Sequence, residues 1–369
     1  LWTLVLSVIA TIVLKEMAAR LGIVSQKSLS EVIKNEIKNP LTKNIIITLI
    51  LLAIVIGNAA YEAGNISGGV LGLESVFGEK SLNILGLNIN FYGILLGLIA
   101  FIVLFIGNYK VLEKSLIFLV IIMSVSFIIT AVITKPDFLK LIEGLFIPKF
   151  PKGSILIIIG LIGTTVVPYN LFLHASLVKE KWNKVSDLKF ARNDTIIAIV
   201  IGGIVSMCIV ISSASLEIES INNAADLAKG IEPLYGYSSK YILAVGLFSA
   251  GITSAITAPL AAAYVTTGCL GWPMKMKSVK FRTVWMFILI IGVISSSLGF
   301  KSIEIIKFAQ VANGILLPVV AGLLIWIVNK KSVLGKFKNS KWQNLTGLMI
   351  LIITIFLGLK SILKVFEIL

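Results

Sequence analysis

The sequence predicts an all-α, polytopic membrane protein, and three observations predict it. Apolar residues fill 57% of the 369 positions, charged residues only 14%, and mean hydropathy is +1.00. A soluble domain carries about 25% charged residues, so this chain lacks the polar surface to cover a water-facing core. Apolar runs of about 20 residues, the length that crosses the hydrocarbon layer as a helix, recur from end to end. Such runs are too long and too apolar for strands, and in lipid each helix must satisfy its own backbone.

Ten runs can be marked, near 1–21, 44–63, 84–108, 114–134, 154–177, 195–215, 241–268, 283–300, 304–328 and 344–366. They are read as one transmembrane domain covering 1–369. The net charge of +15 does not indicate a nucleic-acid partner, because the Lys and Arg residues lie in the gaps between apolar runs. Counted gap by gap, alternate connections hold 21 and 9 of them. The richer set is expected in the cytoplasm of a multi-pass cell-membrane protein. That places Leu1 on the outer side, inside an apolar run without an initiator Met, so one further helix upstream is expected. Two separated cysteines, Cys208 and Cys269, and a single histidine, His174, support no disulfide framework, zinc cluster or haem site.

The run 154–177 is interrupted at Gly163-Thr164-Thr165-Val166-Val167-Pro168-Tyr169-Asn170. Pro168 removes a backbone donor and clashes with the carbonyl four residues back. Irregular backbone at membrane depth survives only where protein or a cavity surrounds it. In secondary transporters such breaks turn carbonyls and half-helix ends toward ion and substrate. A proline kink without a ligand is the plain alternative; the polar neighbours Thr164, Thr165, Tyr169 and Asn170 favour a site.

Other polar residues carry two readings each. Gln310 and Asn313 share a face of 304–328, ahead of Gly314 and Pro318, and either bond neighbouring helices or offer oxygens to an ion. Gly251, Thr253, Ser254, Thr257 and Pro259 form a small-residue face suited to close packing. His174, one turn beyond Asn170, either bonds a backbone carbonyl or relays protons. Asn58, Tyr61, Glu62 and Asn65 crowd the outer end of 44–63, where Glu62 is expected to be solvated or to mark a cation entrance. No Ser/His/Asp set, Cys/His pair or HExxH motif points to an enzyme, and no cofactor is expected.

The stretch from Gly163 to His174 resembles the sixth helix of the Nramp divalent-metal transporters, whose usual form is GATVMPHNLYLH. Glu16-Met17-Ala18-Ala19-Arg20-Leu21-Gly22 resembles the end of that family's second helix. Ala309-Gln310-Val311 with Leu317-Pro318 is similar to its tenth, and Lys135-Pro136-Asp137 follows its fifth. The resemblance implies a LeuT-type inverted repeat of five plus five helices, with the present segments as the second to eleventh. It also implies an Asp-Pro-Gly-x-Asn metal motif on a first helix, which this sequence does not contain.

The resemblance further implies the site. Thr164 takes the position whose carbonyl coordinates metal, Gln310 matches a tenth-helix glutamine, and Val167 replaces a metal-binding methionine. Tyr169 replaces a histidine, with Asn170, His174, Asn313 and Glu62 along the pathway. Without a thioether, oxygen ligands suit Mg²⁺ and Mn²⁺ better than soft ions. The acidic pair linked to proton movement falls on Leu51 and Ile54, so a carboxylate relay there is absent. The 58–65 stretch looks more like the Nramp-related magnesium branch. The implied activity is secondary transport of a divalent cation, Mg²⁺ or Mn²⁺ favoured, by alternating access, with the bilayer as partner and no oligomer required. An organic-solute symporter of the same fold and a non-transporting scaffold or sensor are the alternatives.

Overall fold

The computed structural model describes residues 1–84, 87–107, 110–214, 224–298 and 302–365. The ends of several expected segments, at 85–86, 108, 215, 299–300 and 366, lie outside the described residues.

Each expected segment corresponds to helix. The first half holds α1 (Trp2–Ser25), α2 (Leu29–Glu36), α3 (Pro40–Phe77), α4 (Phe91–Ile106), α5 (Lys110–Ile133) and α6 (Phe138–Phe146). The interrupted segment is two helices, α7 (Ile155–Thr165) and α8 (Pro168–Lys181). Then follow α9 (Leu188–Ala214), α10 (Ala224–Ala228), α11 (Glu232–Tyr235), α12 (Ser239–Leu270) and α13 (Val279–Ser297). The chain ends with α14 (Ser302–Val328), α15 (Lys331–Leu334) and α16 (Lys341–Val365). Among the described residues, seven helical stretches are long and apolar enough to span a bilayer, with α7 and α8 counted together. α4 and the described apolar part of α5 are shorter, and α1 carries Lys15, Glu16 and Arg20 in its second half.

Two boundaries differ from the sequence reading. The run 84–108 does not begin as helix: β1 (Ser81–Ile84) and β2 (Leu87–Asn90) form an antiparallel hairpin, Ser81 opposite Asn90. Asn90 then caps α4, its side chain accepting from the Tyr92 and Gly93 amides, which fixes the helix start seven residues late. The segment 44–63 is the middle of a 38-residue helix, about 57 Å long at 1.5 Å per residue. Its glycine-rich second half, 64–72, reads as an ending but is where neighbours come close.

That closeness organises the bundle. A Cβ on Gly251 of α12 would stand 2.7 Å from the Gly69 backbone of α3, and one on Gly72 would stand 2.7 Å from the Ala244 carbonyl. Small-residue contact is how helices associate in lipid, where apolar burial supplies little drive. The close-packing reading of Gly251 therefore holds. The registers also show antiparallel pairing of the two halves: α3 runs against α12, α4 against α13 (Gly97 beside Val293, Gly93 beside Ser297), and α1 against α9 (Val8 beside Gly203, Glu16 beside Arg192). The largest core joins α1, α3, α7, α8, α12 and α14 around Leu14, Met17, Ile54, Phe172, Ala262 and Leu324. It encloses the break between α7 and α8.

Candidate metal-ion site at the broken helix

Two valines make the break. α7 ends at Thr165, and Val166 (φ −98, ψ 71) and Val167 (φ −72, ψ 121) leave helical geometry before Pro168 starts α8. Pro168 sits at the first helical turn, where its missing N–H is least disruptive. The Val166 amide still donates to the Ile162 carbonyl at 2.8 Å, and the Asn170 amide tightens to the Val167 carbonyl at 3.1 Å. Pro168 offers no amide to Thr164, whose carbonyl is thereby left without its helical partner. The next carbonyl, of Thr165, lies 3.4 Å from the Thr11 hydroxyl of α1, whose proton goes mainly to the Ser7 carbonyl at 2.7 Å. The carbonyl end of α7 carries partial negative charge, the polarity that favours a cation.

Thr164 is exposed to a cavity of about 480 Å³ between α1, α7 and α9, lined mostly by apolar side chains such as Val8, Leu161 and Ile199, with Thr11, Lys15, Thr165 and Ser206 as its other polar residues. Val167 and Tyr169 are buried. The Tyr169 ring stands 5.3 Å from Tyr61 of α3 in an edge-on contact at 65°. That ring contact ties the break to α3.

Glu62 is not solvated at an outer end, as expected from sequence; it is fully buried in the bundle. The reason is the length of α3, which runs past it to Phe77. Gly292 of α13 makes room for it, since a Cβ there would overlap the Glu62 side chain. Asn65 Nδ2 donates to Oε2 at 3.3 Å, while Oε1 has no hydrogen-bond partner among the described residues. A buried carboxylate oxygen without a partner is costly unless something else meets it. Asn58, one turn earlier, donates from Nδ2 to the Ala258 carbonyl of α12 at 3.1 Å, a structural role.

The expected residues thus divide. Thr164, Val167, Tyr169 and Asn170 gather at the break, with Glu62 behind Tyr61. His174 lies a turn further along α8 and faces α9; its Nε2 shares a hydrogen bond with the Thr195 hydroxyl at 3.2 Å, rather than with a backbone carbonyl. The side chains of Gln310 and Asn313 lie outside the described ones. The α14 backbone beside them does pass the site, with Ala309 against Gly64 of α3 and Gly314 against Ile159 of α7. Among the described residues no three His, Cys, Asp or Glu side chains cluster to hold a metal. Carbonyl and hydroxyl oxygens are what the break offers, donors of the kind hard cations accept.

Sequence reasoning missed three contributors. Tyr61 was grouped with the outer end and not with the break, and Thr11 and Lys15, one turn apart on α1, went unremarked. An i, i+4 polar pair inside an apolar run was the available signal.

The pattern of the family described as Nramp, natural resistance-associated macrophage protein-like, matches residues 1–364. The divalent metal cation transporter MntH of Bacillus subtilis (strain 168) is 24% identical over 379 residues, spanning all of this chain and 85% of the relative. MntH of Staphylococcus haemolyticus is 28% identical over 396 residues with the same coverage. The metal transporter nramp1 homolog of Dictyostelium discoideum is 27% identical over 393 residues, all of this chain and 70% of the relative. Among solved structures, the manganese transporter of Eremococcus coleocola bound to an aromatic bis-isothiourea compound superposes with a TM-score of 0.74 at 18% identity. The superposition covers 98% of this chain and 79% of that one.

Proposed function

The chain belongs to the Nramp family, and from that premise we propose that it is a multi-pass secondary transporter of divalent cations that accepts Mg²⁺ and Mn²⁺. The observation that carries the proposal is the break at Val166–Val167, which leaves the Thr164 carbonyl free beside a cavity. In this reading the cation is substrate, met by the Thr164 carbonyl, with Val167 facing it and Gln310 contributing from α14. Tyr169, Asn170 and Asn313 line its path. The names of the relatives, divalent metal cation transporters and a manganese transporter, support the substrate class.

The preference for Mg²⁺ and Mn²⁺ rests on donor chemistry. Val167 brings no sulfur, and oxygen donors suit hard ions. Mg²⁺ gives up water reluctantly, so a site for it is roomy enough to keep part of its hydration shell. The cavity beside Thr164 supports that requirement. Alternating access follows in this reading from rocking of one set of helices about the break. Movement without protons rests on Leu51 and Ile54, which have nothing to protonate; Glu62, two turns further along α3, is the group on which that part is most exposed to test.

The test is uptake by the purified protein in liposomes loaded with ion- and pH-sensitive dyes. Mg²⁺ and Mn²⁺ entry without internal acidification is the expected result. Cd²⁺ uptake accompanied by protons, with no Mg²⁺ entry, would overturn both the ion preference and the uncoupled mechanism.

A further inference from the structure

The connection between α5 and α7 holds a helix that is apolar on its outside. α6 is nine residues long, about 13 Å, and cannot span a bilayer. Phe138 is 71% exposed, Leu139 78%, Ile142 40% and Phe146 72%. At 100° per residue these four fall in one sector about 100° wide. Glu143 lies beside that sector, and Lys140 lies on the opposite side. Gly144 also lies on that opposite side, where a Cβ would stand 3.6 Å from Leu1, the residue before α1.

A water-facing surface helix presents the reverse pattern, polar outward and apolar inward. Exposed apolar side chains continue on both sides of α6: Val132 and Ile133 at the end of α5, Ile147 and Phe150 after α6, and Ile157 on α7. On α7, which with α8 forms a membrane-spanning stretch, that surface faces lipid, and the apolar end of α5 is exposed in the same way. The α6 sector adds to it in the chain between them, with the exposed Lys135 and Asp137 before it and Lys149 and Lys152 after it.

The geometry of the connection holds α6 crosswise. Lys135 adopts the left-handed region (φ 45) immediately before Pro136, turning the chain out of α5. Asp137 caps α6 by accepting from the Leu139 and Lys140 amides. The far end is tied to α1: the Trp2 Nε1 donates to the Lys149 carbonyl at 3.3 Å, and the Trp2 and Phe150 rings meet at 5.1 Å. Lys149 is paired with Glu143, and Lys140 reaches Asp137 at 4.0 Å. Paired charges outside the apolar sector suit the polar headgroup layer without demanding an anionic lipid.

From these contacts we infer that α6 is an interfacial helix, its Phe138–Leu139–Ile142–Phe146 sector seated in the headgroup–acyl boundary of the leaflet where α5 ends and α7 begins. Helices of this pattern bury their apolar side about 5–10 Å into that boundary. Because α6 leads through Pro151 directly into α7, the leaflet then also fixes the entry of the half-helix that ends at Thr164.

Spin-label accessibility in phosphatidylcholine vesicles tests the inference. Leu139→Cys, Ile142→Cys and Phe146→Cys are labelled one at a time in the full chain with Cys208 and Cys269 replaced by alanine, and compared with Lys140→Cys. Collision with oxygen is expected to be several-fold higher at 139, 142 and 146 than at 140, and collision with a water-soluble nickel chelate several-fold lower. Equal access of the chelate to all four positions would show a water-facing helix and overturn the inference. Exclusion of both reagents from 139, 142 and 146 would show protein, such as a second copy, on that face and overturn it too.

Discussion

Two polar regions of the bundle can be set side by side, the Arg20 knot at the end of α1 and the break between α7 and α8. In the knot almost every donor has an acceptor. Arg20 Nη1 donates to the Phe337 carbonyl at 2.8 Å, and Nη2 to Asn339 Oδ1 at 2.6 Å and Glu16 Oε2 at 3.2 Å. Glu16 Oε1 accepts from Arg192 Nη2 of α9 at 2.7 Å. Asn339 Nδ2 donates on to Asn344, and Asn344 to Asn329. At the break the count comes out the other way: the Thr164 carbonyl lacks its helical amide and Glu62 Oε1 lacks a partner. A buried polar group answered by protein holds helices together, and under the proposed function the unanswered oxygens at the break are the ones open to the cation. Of the knot's buried nitrogens only Arg20 Nε is unpartnered among the described residues.

The largest effect is expected where the knot is cut. Arg20→Ala removes one member of a buried ion pair and strands Glu16 Oε2, the Asn339 amide oxygen and the Phe337 carbonyl, leaving Glu16 Oε1 on Arg192. Losing one partner of such a pair costs about 3–5 kcal/mol, read as a lowered thermal midpoint in detergent and a poor yield of folded protein. The fraction that folds should transport normally. Undiminished stability with lost uptake would move Arg20 into the transport machinery and erase the contrast.

Pro168→Ala tests the opposite region. Alanine restores an amide able to bond the Thr164 carbonyl, and so to close the break. One hydrogen bond of about 1.4 kcal/mol set against the ion corresponds to about a tenfold loss of uptake. Thermal stability should hold or rise. Unchanged uptake and unchanged stability together would show that Thr164's carbonyl is not the group that matters.

Val167→Met should act more mildly, as a change of preference. A thioether added beside the free carbonyl favours softer ions, so the ratio of Cd²⁺ to Mg²⁺ uptake is expected to rise several-fold in competition assays. A constant ratio would mean that residue 167 does not face the ion.

Much of this was legible in the sequence, for reasons specific to each residue. Pro168 announced the break because a missing amide acts through bonds four residues apart, and local chemistry is written in local sequence. Gly251 announced close packing because only small residues admit a neighbouring backbone. Glu62 was misplaced because its burial depends on Gly292, 230 positions away, and on the helix continuing through 64–72, where glycine reads as an ending. The Ser81–Asn90 hairpin was hidden because Ile84, Leu87 and Ile89 join its second half to the apolar run of the helix that follows. The Glu16–Arg20 pair was visible as a motif, but its partners Arg192 and Asn339 belong to other helices, so its role was not.

His174 sits between the two regions and sharpens the comparison most at the smallest scale. It lies one turn beyond the break, yet its Nε2 is already matched by the Thr195 hydroxyl, which itself donates to the Ala191 carbonyl at 2.8 Å. A histidine matched in this way is expected to be structural. Thr195→Val keeps the shape and removes the hydroxyl, and the loss of one such bond between helices costs about 0.6 kcal/mol. The expected result is a thermal midpoint lowered slightly, with uptake of Mg²⁺ and Mn²⁺ unchanged at equal amounts of folded protein. A marked fall in uptake at unchanged stability would place His174 with the unanswered groups at the break, and a partner already in place would no longer distinguish scaffold from pathway.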